Sequence, residues 1–294
     1  VNSIYRSTPG RELIRRWCLD RLDAWPVPHE RATVTAKGAR THTVLAGSGA
    51  TTVVFVPGTN FNAATSLPLA TALIAASHRV LLVDVPGQPG LSSGERGLSG
   101  GRLSWYGAWL SEVIEKIPSG PVAVMGHSFG AAIALSSDSP HINRLLLVSP
   151  GGLTRLRLTT TVLTASTAWF LRPTPPRSAR LLRAMLAPGN SPRDELVDWM
   201  TLVARHARSS GAPGAAALST RPIPRLVVTG EHDVFLPPRR LRPAVRATLG
   251  AELGIVPEAG HLVVEERPAH LAGLLDGPGP PASGGESRPP GQVA

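Results

Sequence analysis

Cysteine is almost absent from the chain: Cys18 is the only one in 294 residues. No disulfide can form within the molecule, and a cysteine-built metal cluster is excluded. Nothing near Cys18 would depress its pKa, so a packing role is expected of it. Lysine is almost as rare. Of 30 basic residues only Lys37 and Lys116 are lysine, and the rest are arginine. Long apolar runs are missing too. The most apolar stretch, Leu158 to Leu171, is too short and too rich in threonine to span a bilayer. The N-terminal region mixes charge throughout Arg11–Asp20, with no charged patch leading into an apolar run, so no targeting segment is expected. Aromatic residues make up 4%, and none interleaves with a basic run, which argues against a nucleic-acid partner despite a net charge of +10. These absences point to a cytoplasmic protein with no cofactor, no metal and no stable membrane association. It would be a monomer or homodimer acting on a small molecule.

The positive charge is uneven. Residues 151–222 carry ten arginines against Asp194, Glu195 and Asp198, and Arg239, Arg240, Arg242 and Arg246 share a stretch without an acid. A solvated basic face explains this as readily as steering of an anionic ligand does.

Glycine and proline are plentiful, and they punctuate a clear rhythm. Residues 9–24 repeat apolar positions at helical spacing and stop at Trp25-Pro26. Ala32–Ala36 and Thr41–Leu45 flank Gly38 and read as a hairpin. Thr52–Val56 is a continuous β-branched and aromatic run of the kind found in strands buried on both faces, and Val80–Val85 is a second buried strand ending in Asp84-Val85-Pro86-Gly87. Helical patterns follow them at Ala63–Ala76 and Leu103–Ile117. Val122–Met125 and Leu145–Val148 are further strands. From 153 to 222 no strand pattern appears, only helical segments broken by proline. One of these is expected to start at Ser191-Pro192-Arg193-Asp194 and run to about Arg208. Strand and helix then alternate again at Leu226–Thr229, Arg239–Leu249, Leu253–Val256 and Leu262–Leu275. From Gly277 onward Pro, Gly and Ser dominate without period, as in a disordered tail. The fold class is α/β: a mostly parallel eight-stranded sheet flanked by helices, its core at 31–152 and 223–276. A helical segment, 1–30, precedes it, and a helical insertion, 153–222, follows the sixth strand.

The chemistry gathers at Pro121–Gly130, PVAVMGHSFG. A buried strand that turns abruptly into a helix at Ser128 forces the serine into a strained conformation, so Gly126 and Gly130 must be nearly free of side chain. With 30 glycines, a second G-x-S-x-G arises at Gly97–Gly101. No apolar strand precedes Ser99, so it reads as a loop. A serine hydroxyl needs a base, and the base an orienting acid. Turns beyond strand ends offer both: Asp233 in Gly230-Glu231-His232-Asp233, and His261 in Pro257-Glu258-Ala259-Gly260-His261. Glu231 competes with Asp233 but lies nearer the strand and is expected to point away. His127, His232 and His270 are read as packing or surface residues, and Asp84 as tying down its own Pro-Gly turn.

These residues make the chain resemble the α/β-hydrolase family in its variant with a helical cap. The likeness spans about 30–275 and rests on PGTN, DVPGQPGLS, GHSFG, GEHDVFLPP and EAGHLVVEERP in the family's order. It implies Ser128 as nucleophile, Asp233 as acid and His261 as base, with the backbone N–H groups of Thr59 and Phe129 forming an oxyanion hole. The family's usual His-Gly is Pro57-Gly58 here. The implied reaction is hydrolysis of an ester-like acyl bond in a small to medium, largely apolar substrate. The insertion would roof the pocket, with Asn60, Trp169, Phe170, Met185, Leu186, Trp199 and Met200 as candidate lining. Relatives with the same three residues act as thioesterases, lactonases, C–C bond hydrolases or cofactor-free haloperoxidases. The scaffold also serves as a non-catalytic ligand receptor.

Overall fold

The computed structural model describes residues 3–95, 101–117, 120–208, 214–216, 218–219 and 221–276. The expected tail and the decoy serine Ser99 lie outside them. The chain opens with α1 (Thr8–Asp23), whose N-cap Ser7 accepts the Gly10 amide. The hairpin β1 (His29–Ala36) and β2 (Ala39–Ala46) follows. Its two-residue loop, Lys37-Gly38, has φ of 46° and 73°, the paired positive values whose twist suits a tight hairpin. Then come β3 (Thr52–Val56), α2 (Leu67–Ala75), β4 (Arg79–Val83), α3 (Arg102–Ile114), β5 (Val122–His127), α4 (Phe129–Leu135) and β6 (Ile142–Val148). Three helices, α5 (Thr160–Leu171), α6 (Pro175–Arg183) and α7 (Asp194–His206), intervene before β7 (Arg225–Gly230), α8 (Pro238–Leu249), β8 (Leu253–Val256), α9 (Val263–Glu266) and α10 (Pro268–Asp276).

The eight strands form one sheet in the order β1-β2-β4-β3-β5-β6-β7-β8. The β1–β2 and β2–β4 pairs are antiparallel and the remaining pairs parallel. β3 and β5 are buried along their whole length, which is why their sequences are unbroken apolar runs rather than alternations. One face of the sheet packs on α3, α4 and α8, through Trp109, Phe129 and Leu241 among others. The other carries α1, α2, α10 and the helices between β6 and β7 in a continuous core. Trp17 of α1 lies 4.8 Å from Trp199 of α7, centroid to centroid, and Arg21 reaches Glu195 at 3.2 Å.

Several boundaries differ from the sequence expectation. α2 begins at Leu67 because Asn62 draws the preceding residues into side-chain turns: its Oδ1 accepts the Thr65 amide and its carbonyl the Ser66 hydroxyl. α7 begins at Asp194 rather than at the Ser191-Pro192 signal. Arg193 stays extended, with ψ of 144°, and its guanidinium makes a two-pronged pair with Glu265 at 2.9 and 3.2 Å. The last helix is two, because Pro268 cannot continue α9. Asp84 ties down its own loop and reaches a second one. Its carboxylate accepts the amides of Ala63 at 2.8 Å and Leu91 at 2.7 Å, joining the loops after β3 and β4.

Candidate active site

Ser128 stands between β5 and α4 with φ 52° and ψ −109°, a region costly for any residue with a side chain. The turn that holds it leaves no room nearby. A Cβ on Gly130 would sit 1.9 Å from the Val56 carbonyl oxygen, and one on Gly126 would sit 2.6 Å from Ala131 Cα. The Ser128 amide donates to Val148 and its carbonyl accepts the Gly151 amide, so the neighbouring strand end locks the strained residue from both sides.

The carboxylate and imidazole arrive from strand ends on the same side. Asp233 follows β7 and is buried. Its Oδ1 accepts the amides of Phe235 and Leu236 at 2.9 and 2.8 Å. Its Oδ2 accepts the Thr229 hydroxyl at 3.1 Å and faces His261 Nδ1 at 2.9 Å. His261 Nε2 is 3.1 Å from Ser128 Oγ. A hydroxyl, an imidazole and a carboxylate therefore form an unbroken chain across 133 residues of sequence. Burial alone would raise the Asp233 pKa, but the His261 ring beside it and the bonds from His261, the Leu236 amide and Ser149 together hold it well below the usual carboxylate range. An ionised carboxylate at this spot fixes the ring with its Nδ1 protonated, leaving Nε2 to take a proton from the serine. Glu231, the competing acid, is exposed and accepts the Glu258 amide instead.

The loop after β3 lies on the far side of Ser128. Thr59 precedes Asn60, a non-glycine residue at φ 69°. Asn60 is pinned at both backbone atoms: its amide donates to Gln88 Oε1 at 3.0 Å and its carbonyl accepts Trp199 Nε1 at 2.8 Å. Phe129 opens α4, so its amide has no earlier turn to bond to and stays at the positive end of the helix. Gly58 brings the loop after β3 against the serine: a Cβ there would lie 3.4 Å from Ser128 Cβ.

A cavity of about 840 Å³ opens from these residues, lined by Thr59, Asn60, Ser128 and His261. Trp169, Leu181, Met185, Met200, Leu156 and Phe235 make its wall apolar, and Arg155 is the single arginine on it among the described residues. Three of the expected lining residues fall elsewhere. Phe170 is exposed, with the Arg6 guanidinium 5.1 Å over its ring. Trp199 is fully buried against Trp17. Leu186 is buried beside Pro188 and Val234, away from the serine. Adjacent positions on a helix are turned about 100° from one another, so Trp169 can face the cavity while Phe170 is carried round to the solvent side.

Sequence reasoning missed four supporting residues. Gln88, in the DVPGQPGLS motif, holds the Asn60 amide. Glu266 accepts the amides of Gly260 and Ala187, each at 2.7 Å, stapling the His261 loop to the segment after α6. Ser149 and Thr229 sit in line behind Asp233. His127, read as packing or surface, is buried, and its Nε2–H donates to the His261 carbonyl at 2.8 Å. Burial, with the His261 ring close by, pushes the His127 pKa down to about 3. The unfolded chain therefore binds a proton at this site between about pH 6.5 and 3 that the folded chain refuses, and stability is lost as pH falls through that window. His127→Gln should shrink the fall in Tm between pH 6.5 and 4.5 relative to the parent; an unchanged slope would contradict the neutral buried imidazole. Among the described residues no group of three or more His, Cys, Asp or Glu is placed to hold a metal, and no helix is long and apolar enough to cross a membrane.

Residues 53–273 match the family model described as the Alpha/beta hydrolase family. The chain belongs to this family. No curated protein matches the sequence, but solved structures of alpha/beta hydrolases resemble the fold closely. Carboxylesterase CesB from Bacillus subtilis superposes with a TM-score of 0.76 at 16% identity, covering 91% of this chain and 97% of that one. Naproxen esterase (carboxylesterase NP) from Bacillus subtilis gives 0.70 at 18%, covering 89% and 95%. The thioesterase domain from the curacin biosynthetic pathway gives 0.62 at 20%, covering 85% and 100%. At such identities the likeness of this alpha/beta hydrolase to those structures concerns the fold alone.

Proposed function

We propose that the protein is a serine hydrolase of ester-like acyl bonds, on the single observation that Ser128, His261 and Asp233 form a hydrogen-bonded chain at one end of a large apolar cavity. In this reading His261 takes the Ser128 proton as Oγ attacks the acyl carbonyl, and Asp233 stabilises the imidazolium. The tetrahedral oxyanion is met by the backbone N–H groups of Thr59 and Phe129. Collapse passes the proton from His261 to the departing alcohol and leaves an acyl-serine. Water, deprotonated by the same imidazole, then releases the acid and restores the serine. The apolar wall suits an acyl group of small to medium size. Helices α5–α7, within 153–222, act as a cap over the core formed by 31–152 and 223–276.

A fluorophosphonate probe tests the reading directly. The intact protein should be labelled at Ser128, located by peptide mass, and should turn over p-nitrophenyl esters of short to medium chain. An unlabelled protein would be a receptor on the hydrolase scaffold instead.

The pin on Asn60 gives a second test, of the oxyanion loop. Trp199→Phe keeps the ring against Trp17 but removes the N–H that holds the Asn60 carbonyl. The Thr59 amide then loses its fixed aim. The expected result is a fall of about tenfold in kcat with KM little changed, a fraction of what losing an oxyanion donor outright costs. A trifluoromethyl ketone, which forms the tetrahedral adduct, should lose affinity in parallel, whereas a product carboxylate should not. Equal loss of both would mean that Trp199 shapes the cavity and not the oxyanion site.

A further inference from the structure

Seven large apolar side chains are exposed among the described residues, and four of them, Leu158, Leu163, Phe170 and Leu171, fall within fourteen positions on or beside α5. Leu163 and Phe170 are seven residues apart and so share a face of that helix, and Leu171 lies on its outer side, opposite the buried Val162, Ala165 and Trp169. α5 carries no charged residue over its twelve positions. Arg157 directly precedes Leu158 and Arg172 directly follows Leu171, with Arg155 two positions further out. These three arginines are exposed and make no ion pair among the described residues. Arg6 adds a fourth cation over the Phe170 ring. From Gly151 to Arg193 the sequence holds seven arginines and no acid. The acids that resume at Asp194 lie on α7, where Glu195 already faces Arg21 and Arg193.

An exposed apolar cluster on one helix is unusual for a free surface. A rim of unpaired arginines around it fits a face that is apolar at the centre and meets negative charge at the edge. Leu158 belongs to both this cluster and the cavity wall, and Arg155 lines the cavity too, so the mouth of the cavity opens at the cluster. We propose that this face of α5 docks reversibly on an anionic lipid bilayer, the leucines and Phe170 entering the acyl boundary and Arg155, Arg157 and Arg172 contacting the headgroup phosphates. The charge favours this occupant over a second copy of the chain, whose matching face would bring the same arginines together. This is reversible peripheral docking, not insertion.

The test is co-sedimentation of the full chain with phosphatidylcholine vesicles, with and without about 30 mol % phosphatidylglycerol. The protein should partition onto the anionic vesicles at least about fivefold more strongly than onto the neutral ones, and the difference should shrink near 0.5 M salt. Leu163→Ser/Leu171→Ser should lower anionic partitioning about tenfold and Arg172→Gln about fivefold. Neither variant touches the cavity lining, so both should hydrolyse a soluble short-chain ester at the parental rate. Equal partitioning onto both vesicle types, or parental binding by the double leucine variant, overturns the proposal. So does a concentration-dependent dimer in sedimentation velocity that the double variant abolishes while vesicles bind neither protein, which would assign the face to a second copy. Ser128→Ala should bind vesicles like the parent, so loss of hydrolysis and loss of docking remain separate results.

Discussion

Ser128→Ala should lower kcat on a p-nitrophenyl ester by at least about 10⁴-fold, because the variant keeps the cavity and oxyanion donors but has no oxygen to acylate. Folding should survive. Alanine retains the Cβ that already tolerates φ 52°, and the amide and carbonyl of residue 128 keep their bonds to Val148 and Gly151. A circular-dichroism melt within a few degrees of the parent, with labelling abolished, is the expected pair of results. Retained turnover at a well-folded Ser128→Ala would remove the serine from the chemistry, and the hydrolase reading with it.

Asp233→Asn should cost almost as much, about 10⁴-fold in kcat, for a subtler reason. The amide oxygen can keep the bonds from the Phe235 and Leu236 amides that Asp233 Oδ1 accepts. Its –NH₂ then occupies the Oδ2 position and donates to His261 Nδ1, forcing the ring proton onto Nε2, where it blocks acceptance of the serine proton. The Thr229 hydroxyl loses its carboxylate acceptor at the same time and keeps only the longer contact to the Leu236 carbonyl. The pH dependence of stability should change as well. A carboxylate whose pKa is depressed on folding stabilises the native state above its ordinary range and loses that contribution as pH falls toward the folded value. The asparagine variant should therefore show a flatter decline in Tm at acid pH. Glu231→Gln is the control: an exposed acid facing Glu258 and His232 should alter kcat by less than about twofold. If the two variants trade places, Glu231 is the orienting acid.

The arrangement also explains where stability and activity meet. Met185, at the start of the segment after α6, accepts the His261 amide at its carbonyl at 2.7 Å, and Gly260 has no room for a Cβ because the Met185 carbonyl would lie 2.4 Å away. Trp199 holds Asn60 from α7. The inserted helices and the segment after α6 therefore touch both the His261 loop and the loop after β3, and a change in their packing reaches Ser128 through both.

How much of this was legible beforehand varies with the range of the interaction. Strands buried on both faces advertise themselves as local apolar runs, which is why Thr52–Val56 was bounded to the residue. The turn at Ser128 was equally legible, since two flanking glycines are a local steric requirement. Helix ends were less so. The Ser191-Pro192 start was overruled by the pairing of Arg193 with Glu265, a partner 72 residues away, and the early start of α2 by side-chain turns at Asn62. Pocket lining was the least legible, because helical periodicity gives the sides of a helix without saying which side faces the cavity.

The sequence by itself determined the chemical inventory and its order: one strained serine between glycines, then an acid and a histidine, each in a turn after a strand. Local sterics and apolar patterning suffice for that. The turn after β7 already favoured Asp233 over Glu231, whereas tertiary structure alone decided that Gln88, Trp199 and Glu266 hold the surrounding loops, and that the apolar residues flanked by Arg157 and Arg172 lie outside the core. Those outcomes depend on which distant segments the sheet brings within hydrogen-bond reach, and side chains only find such partners once the chain has closed around them.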